Sequence, residues 1–192
     1  MDKRRFLASA AAVAALPTIA QAAHPKANSG PALLTVTGMI GQSNRGPLDP
    51  ALDQMMHKQS VQFERAWAFD WQALMALPAI TIRPTLEYDG KRHTLRGPLL
   101  LDVVKRAGAL PTGGTSLLLR AVDGYAVAVP EAQARSQRFI VATHLDGKPM
   151  PLGGLGPLWA VYDADKVPGM AAKPLKERFG NCPWALYHIE VQ

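Results

Sequence analysis

From residue 32 onward, short apolar runs alternate with clusters of turn-forming residues. ALLTVTGMI (32–40) places β-branched and apolar residues in alternation up to a glycine, which predicts a first strand. GQSNRGPLDP (41–50) is turn chemistry throughout. ALDQMMHKQSV (51–61) predicts a short helix, with Asp49 near its start, Pro50 at the first helical position, and Met55 and Met56 as core filler. AWAFD (66–70) reads as a strand whose Asp70 caps the short helix WQALMAL (71–77) until Pro78 stops it. ITIRPTLEY (80–88) predicts another strand, with Pro84 marking an edge or a bulge. KRHTLRG returns from Asp89-Gly90 in hairpin fashion.

GPLLLDVVKRAGA (97–109) carries the strongest helical period. Leu99, Val103, Val104 and Ala107 share one face, and Gly108 ends the segment. SLLLRAVDGYAVAVP (116–130) predicts two strands around an Asp-Gly turn, and EAQARS a short helical or looped excursion. RFIVATHLDGKPM (138–150) predicts a strand and a further Asp-Gly turn. A glycine-rich loop in PLGGLGPLWAVYDAD (151–165) leads into a strand, and residues 166–181 are polar and irregular. CPWALYHIEV (182–191) closes the chain as a strand, and Phe63 and Trp71 are expected in the core. Many short strands with a few short helices predict an α+β domain of mixed β-sheets.

The N-terminus has a different pattern. MDKRR is followed by the apolar stretch FLASAAAVAALPTIA and then by Ala20-Gln21-Ala22, a small-x-small cleavage site. Residues 1–22 are therefore expected to be a signal peptide cleaved near Ala22, 23–31 a linker, and 32–192 one domain located in the periplasm. Lys3-Arg4-Arg5-Phe6-Leu7 resembles a twin-arginine signal, the export route of folded proteins, with Lys3 in place of the first arginine. The single cysteine, Cys182, excludes an intramolecular disulfide. Part of the formal charge of +6 sits in the leader, and no basic run interleaved with aromatics is present, which argues against nucleic-acid binding.

Familiar catalytic patterns are missing. The His residues show no HExxH or facial-triad spacing, no CxxC or GxSxG occurs, and GGLG (153–156) lacks the ending and the following helix of a phosphate loop. What accumulates is aromatics beside polar turns: Tyr88, Tyr125, Trp159, Tyr162, Trp184 and Tyr187. Such rings suit a flat heteroaromatic ligand, and a carboxylate such as Asp123 would accept from its amino edge.

The ordered set TVTG, LPAITIRPTLEYDG, LRGPLLLDVVKRAGA, LRAVDGYAVAVP, FIVATHLDGKPM, LGPLWAVYDAD and WALYHIEV resembles the molybdopterin-binding domain of the sulfite oxidase family over residues 32–191. The resemblance implies the sulfite-oxidase fold and a pterin pocket. Enzymes of that family hold molybdenum with a cysteine in the strand matching TLEYDG, where this chain has Tyr88. A phenol with pKa about 10 replaces poorly a thiol with pKa about 8.5, and the metal prefers sulfur. Cys182 is an outside candidate for the ligand. GPLWAVY and WALYHIEV bring the chain nearer to small exported pterin binders of this fold that lack the metal-ligating cysteine.

Three readings follow, the last being a pseudo-enzyme domain that serves only as an interaction module. In the first, the chain is a non-catalytic periplasmic pterin binder, a sensor for the periplasmic domain of a membrane cyclic-di-GMP enzyme. Tyr88, Trp159 and Trp184 would wall the ring with Tyr125 and Tyr162, Asp123 would accept its amino edge, and His144 or Arg178 would meet its carbonyl or an anionic tail. In the second, it is a molybdopterin-dependent oxidoreductase with Cys182 or no protein ligand on the metal.

Overall fold

The computed structural model describes residues 30–192. The expected leader and its cleavage site lie outside the described residues, as does most of the linker. The strands are β1 (Leu34–Gly38), β2 (Trp67–Phe69), β3 (Ala79–Ile82), β4 (Leu95–Pro98), β5 (Ser116–Ala121), β6 (Ala126–Pro130), β7 (Ile140–Ala142), β8 (His144–Leu145), β9 (Lys148–Pro149), β10 (Trp159–Val161) and β11 (Leu186–Val191). The helices are α1 (Gln54–Lys58), α2 (Trp71–Met75), α3 (Leu100–Arg106), α4 (Glu131–Ser136) and α5 (Pro168–Ala171). A five-stranded sheet runs β2-β1-β11-β5-β6, a four-stranded one β3-β4-β8-β9, and β10 pairs with β7. Among the strands described, only β1 and β11 pair in parallel, so the first and last of them lie side by side. No helix among the described residues is long and apolar enough to cross a membrane.

Strand chemistry explains the sheets. In β5, Leu117, Leu119 and Ala121 point into the core, while the intervening Ser116, Leu118 and Arg120 are half-buried, the period of a pleated strand. β11 is buried on both faces, because residues 39–66 form a cover over its outer side. Tyr187 packs there against Met56 and Val61, and its hydroxyl donates to Gln59 Oε1 at 2.8 Å. Under the same cover lies His188, fully buried, with Nε2 2.9 Å from Thr37 Oγ1 and Nδ1 without a partner. Burial and the nearby Arg120 guanidinium push its pKa down to about 4.

Several elements differ from expectation in bounds. Asp49 accepts the Ala51 and Leu52 N–H groups, capping a turn at 50–52, so α1 begins only at Gln54. Its Met56 is buried but Met55 faces outward. Asp70 Oδ1 accepts the Ala73 N–H at 2.7 Å, the expected cap of α2. Trp71 and Phe63 are half-buried, outside the deep core. The helix expected from residue 97 starts at Leu100, because Gly97 and Pro98 complete β4 opposite Ile80 and Ala79. Gly97 is required there: a Cβ at this position would lie 1.9 Å from the Val141 carbonyl oxygen. The strand expected over 80–88 ends at Ile82. After it, Thr85 makes one bridge to Arg92, and Glu87, Tyr88 and Asp89 form a turn.

Candidate ligand-binding site

A cavity of about 290 Å³ opens where three connections meet, lined by Glu87, Tyr88, Ala121, Asp123, Tyr125, Phe179, Gly180, Cys182, Pro183 and Trp184. Its size is near the lower end for small-molecule sites and suits a compact flat ligand. The first wall is the turn bearing Glu87 and Tyr88. It is closed by backbone bonds from Leu86 N to Lys91 O (2.9 Å) and from Gly90 N to Leu86 O (3.0 Å). Buried Leu86 anchors its base.

The second wall is the turn between β5 and β6. Asp123 Oδ1 accepts the Tyr125 N–H at 2.9 Å, and Gly124 takes the positive φ of +92° that the turn needs. The Tyr125 hydroxyl reaches across and donates to the Gly180 carbonyl, tying this turn to the third wall. That third wall, residues 179–184, is strapped on both sides. Cys182 O accepts from the Trp159 indole at 2.9 Å, Ala160 N donates to Pro183 O, and beyond it Val122 N donates to Ala185 O. The site is thus built on a fixed frame, with Tyr88, Tyr125 and Trp184 leaving their rings partly exposed toward solvent.

Its electrostatics are one-sided. The lining carries two carboxylates, Glu87 and Asp123, and no Lys, Arg or His. Burial and the neighbouring Glu87 push the Tyr88 phenol up, burial does the same to Tyr125, and burial raises the Cys182 thiol strongly. At neutral pH these three groups are therefore protonated and neutral. The thiol itself is almost wholly enclosed.

The structure thus groups Tyr88, Asp123, Tyr125 and Trp184 around one cavity. Trp159 is not a wall but core: it is fully buried, and it supports the Tyr88 ring from behind at a centroid separation of 6.4 Å. Tyr162 is also core. Its hydroxyl donates to Arg178 O at 2.7 Å, and its ring packs on Phe139 and Phe179. Arg178 turns away from the cavity, its guanidinium bonded to Asp165 and to the Lys173 and Ala171 carbonyls. His144 lies on β8 in the four-stranded sheet, bonded to Thr143 Oγ1 and packed on Trp71.

The corrections for His144 and Arg178 have one cause. A lone His or Arg carries no period to say which way it faces, and neighbouring groups claim it: Thr143 Oγ1 and the Trp71 ring for His144, Asp165 and two backbone carbonyls for Arg178. Among the lining residues, sequence alone does not point to Glu87, Ala121, Phe179, Gly180 and Pro183. Glu87 is the next residue before Tyr88, and Ala121 ends β5. The other three belong to an irregular stretch placed only by tertiary bonds.

No family model matches the chain, and no curated protein sequence does either. Among solved structures, it is similar to the sulfane dehydrogenase SoxCD from Paracoccus pantotrophus, with 11% sequence identity and a TM-score of 0.52. The match covers 82% of this chain and 37% of that one, so the chain spans little more than a third of its neighbour's length. A likeness at that identity is a likeness of fold: the domain has the mixed α+β architecture of the sulfite-oxidase type.

Proposed function

We propose that the domain binds a small pterin, without phosphate and without a protein-held metal, and that it works as an exported ligand-binding protein. The observation that carries this reading is the cavity itself: three partly exposed aromatic rings beside two carboxylates, with no cationic side chain in the lining. A pterin offers a flat ring for Tyr88 and Trp184, and amino and ring N–H donors for Asp123 and Glu87. A phosphate group would find no positive partner here and would face two carboxylates.

Molybdenum fits this donor set poorly. In the resembling enzymes the protein's own ligand is a cysteine thiolate, and the only thiol here is enclosed and held protonated by burial. Tyr88 supplies only a phenol whose pKa is itself raised. Signalling to the periplasmic domain of a membrane cyclic-di-GMP enzyme is the role in which ligand occupancy would be read out, and it rests on the family resemblance.

Isothermal titration of the full chain with pterin tests the assignment. Saturable one-to-one binding, weakened by Asp123→Ala and by Trp184→Ala, supports it. Absence of binding, or binding unaffected by both substitutions, overturns it.

A further inference from the structure

His93 lies outside the cavity, in the arm that returns from the Tyr88 turn, and both of its ring nitrogens meet carboxylates. Nδ1 is 2.7 Å from Asp146 Oδ2, and Nε2 is 3.0 Å from Asp89 Oδ2. Ionised carboxylates only accept, so both bonds form together only when each ring nitrogen carries a proton. The two acids are fixed independently of the ring: Asp89 Oδ1 accepts the Lys91 N–H at 3.0 Å, and Asp146 Oδ1 accepts the Thr94 N–H at 2.8 Å. Asp89 is the residue after Tyr88, and Asp146 sits in the tight turn between β8 and β9. The imidazolium therefore ties the cavity's first wall to the four-stranded sheet.

We propose that His93 is a proton-operated clamp on the ligand site: doubly protonated, it holds the turn bearing Glu87 and Tyr88 against the β8–β9 turn, and when neutral it releases that turn and weakens ligand binding. The proposal deepens the pterin-binding reading and rests on it for the identity of the ligand. A neutral ring keeps one N–H, so one carboxylate then faces a lone pair and its bond is lost.

The titratable and charged groups that bear on His93 are Asp146, Asp89 and, beside Asp89, Lys91. The hydrogen bonds to Asp146 and then Asp89 raise the His93 pKa, whereas both acids are held low. The clamp is consequently complete below about pH 6.5, the free-histidine value, and opens as pH rises through the higher folded value. Within the cavity the Tyr88, Tyr125 and Cys182 protons are all held above their ordinary values, so they do not imitate the effect near neutrality.

Two measurements on the full chain separate the clamp from the ligand assignment. Amide-exchange protection factors for Leu86 and Gly90 in the ligand-free protein should fall between pH 5.5 and 8.5 in the wild type and stay level in His93→Gln. Pterin affinity should fall about fivefold over the same range relative to His93→Gln, a ratio in which the probe's own ionisation cancels. Asp146→Asn should reproduce the loosened turn at low pH. If protection at Leu86 and Gly90 follows the same pH course in wild type and His93→Gln, the clamp is overturned whether or not pterin binds. If protection behaves as expected but the affinity ratio is flat, the coupling to the site is overturned. If pterin fails to bind at every pH, the ligand assignment falls and, with it, the clamp's role at a ligand site, while the protection data still report the turn itself.

Discussion

Lowering the pH should weaken the fold through one residue, His188. The ring is fully buried in β11, with Nε2 on Thr37 and Nδ1 unpartnered. Its pKa falls from the ordinary 6.5 to about 4, so between these values the unfolded chain binds a proton that the native protein refuses. Stability from this group is whole above about pH 6.5 and is lost as pH falls toward 4. Linkage over that interval gives a loss of about 2 kcal/mol between pH 7 and pH 5, and about 3 kcal/mol once both states are protonated.

The assay is urea unfolding at pH 7 and pH 5 of the wild type and of His188→Gln, whose amide does not titrate. His93 contributes with the opposite sign, gaining stability at low pH, but it is present in both proteins and cancels between them. The wild type should therefore lose about 2 kcal/mol more than the variant on going from pH 7 to pH 5. Equal losses would mean that the buried ring accepts its proton freely, and would refute the packing described for the outer face of β11.

Two tryptophans should part company on substitution. Trp184→Ala should lower pterin affinity by about 1–3 kcal/mol, by analogy with base–aromatic stacking, and leave the melting temperature nearly unchanged. Trp159→Ala should cost about 3–5 kcal/mol of stability in urea unfolding, because it empties a fully buried site and strands the Cys182 carbonyl. Gly97→Ala should be destabilising by about 1–3 kcal/mol or more, since its Cβ meets the Val141 carbonyl and two backbones must separate. An unfolding midpoint equal to the wild type's would contradict the close approach of β4 and β7.

Much of the fold was legible because it rests on local chemistry. The Asp-Gly turns, the Asp70 cap and the Gly108 stop each depend on a few adjacent residues, and each formed near its expected place. Bounds failed where tertiary contacts overrode local preference. Gly97 and Pro98 were drawn into β4 by β3, and the run to Tyr88 broke into a turn once its pairing with β4 ended.

The site was half legible for the same reason. Aromatics beside turn residues pointed to Tyr88, Tyr125 and Trp184, and Asp123 lay in a turn whose geometry its own side chain helps to fix. Trp159 and Tyr162 carry the same residue types, yet β10 and the residue after it lie inside, and no local signal separates a buried ring from a lining one. Cys182 was placed by the fold beside Tyr88, and burial rather than spacing decides its chemistry.

The most direct test of the central assignment is the composition of the full chain purified natively from a host that exports it, with bound small molecules identified by mass spectrometry and metals by elemental analysis. One unphosphorylated pterin per chain, with molybdenum well below stoichiometry, is the expected result. Stoichiometric molybdenum, or a phosphorylated pterin retained through purification, would contradict it.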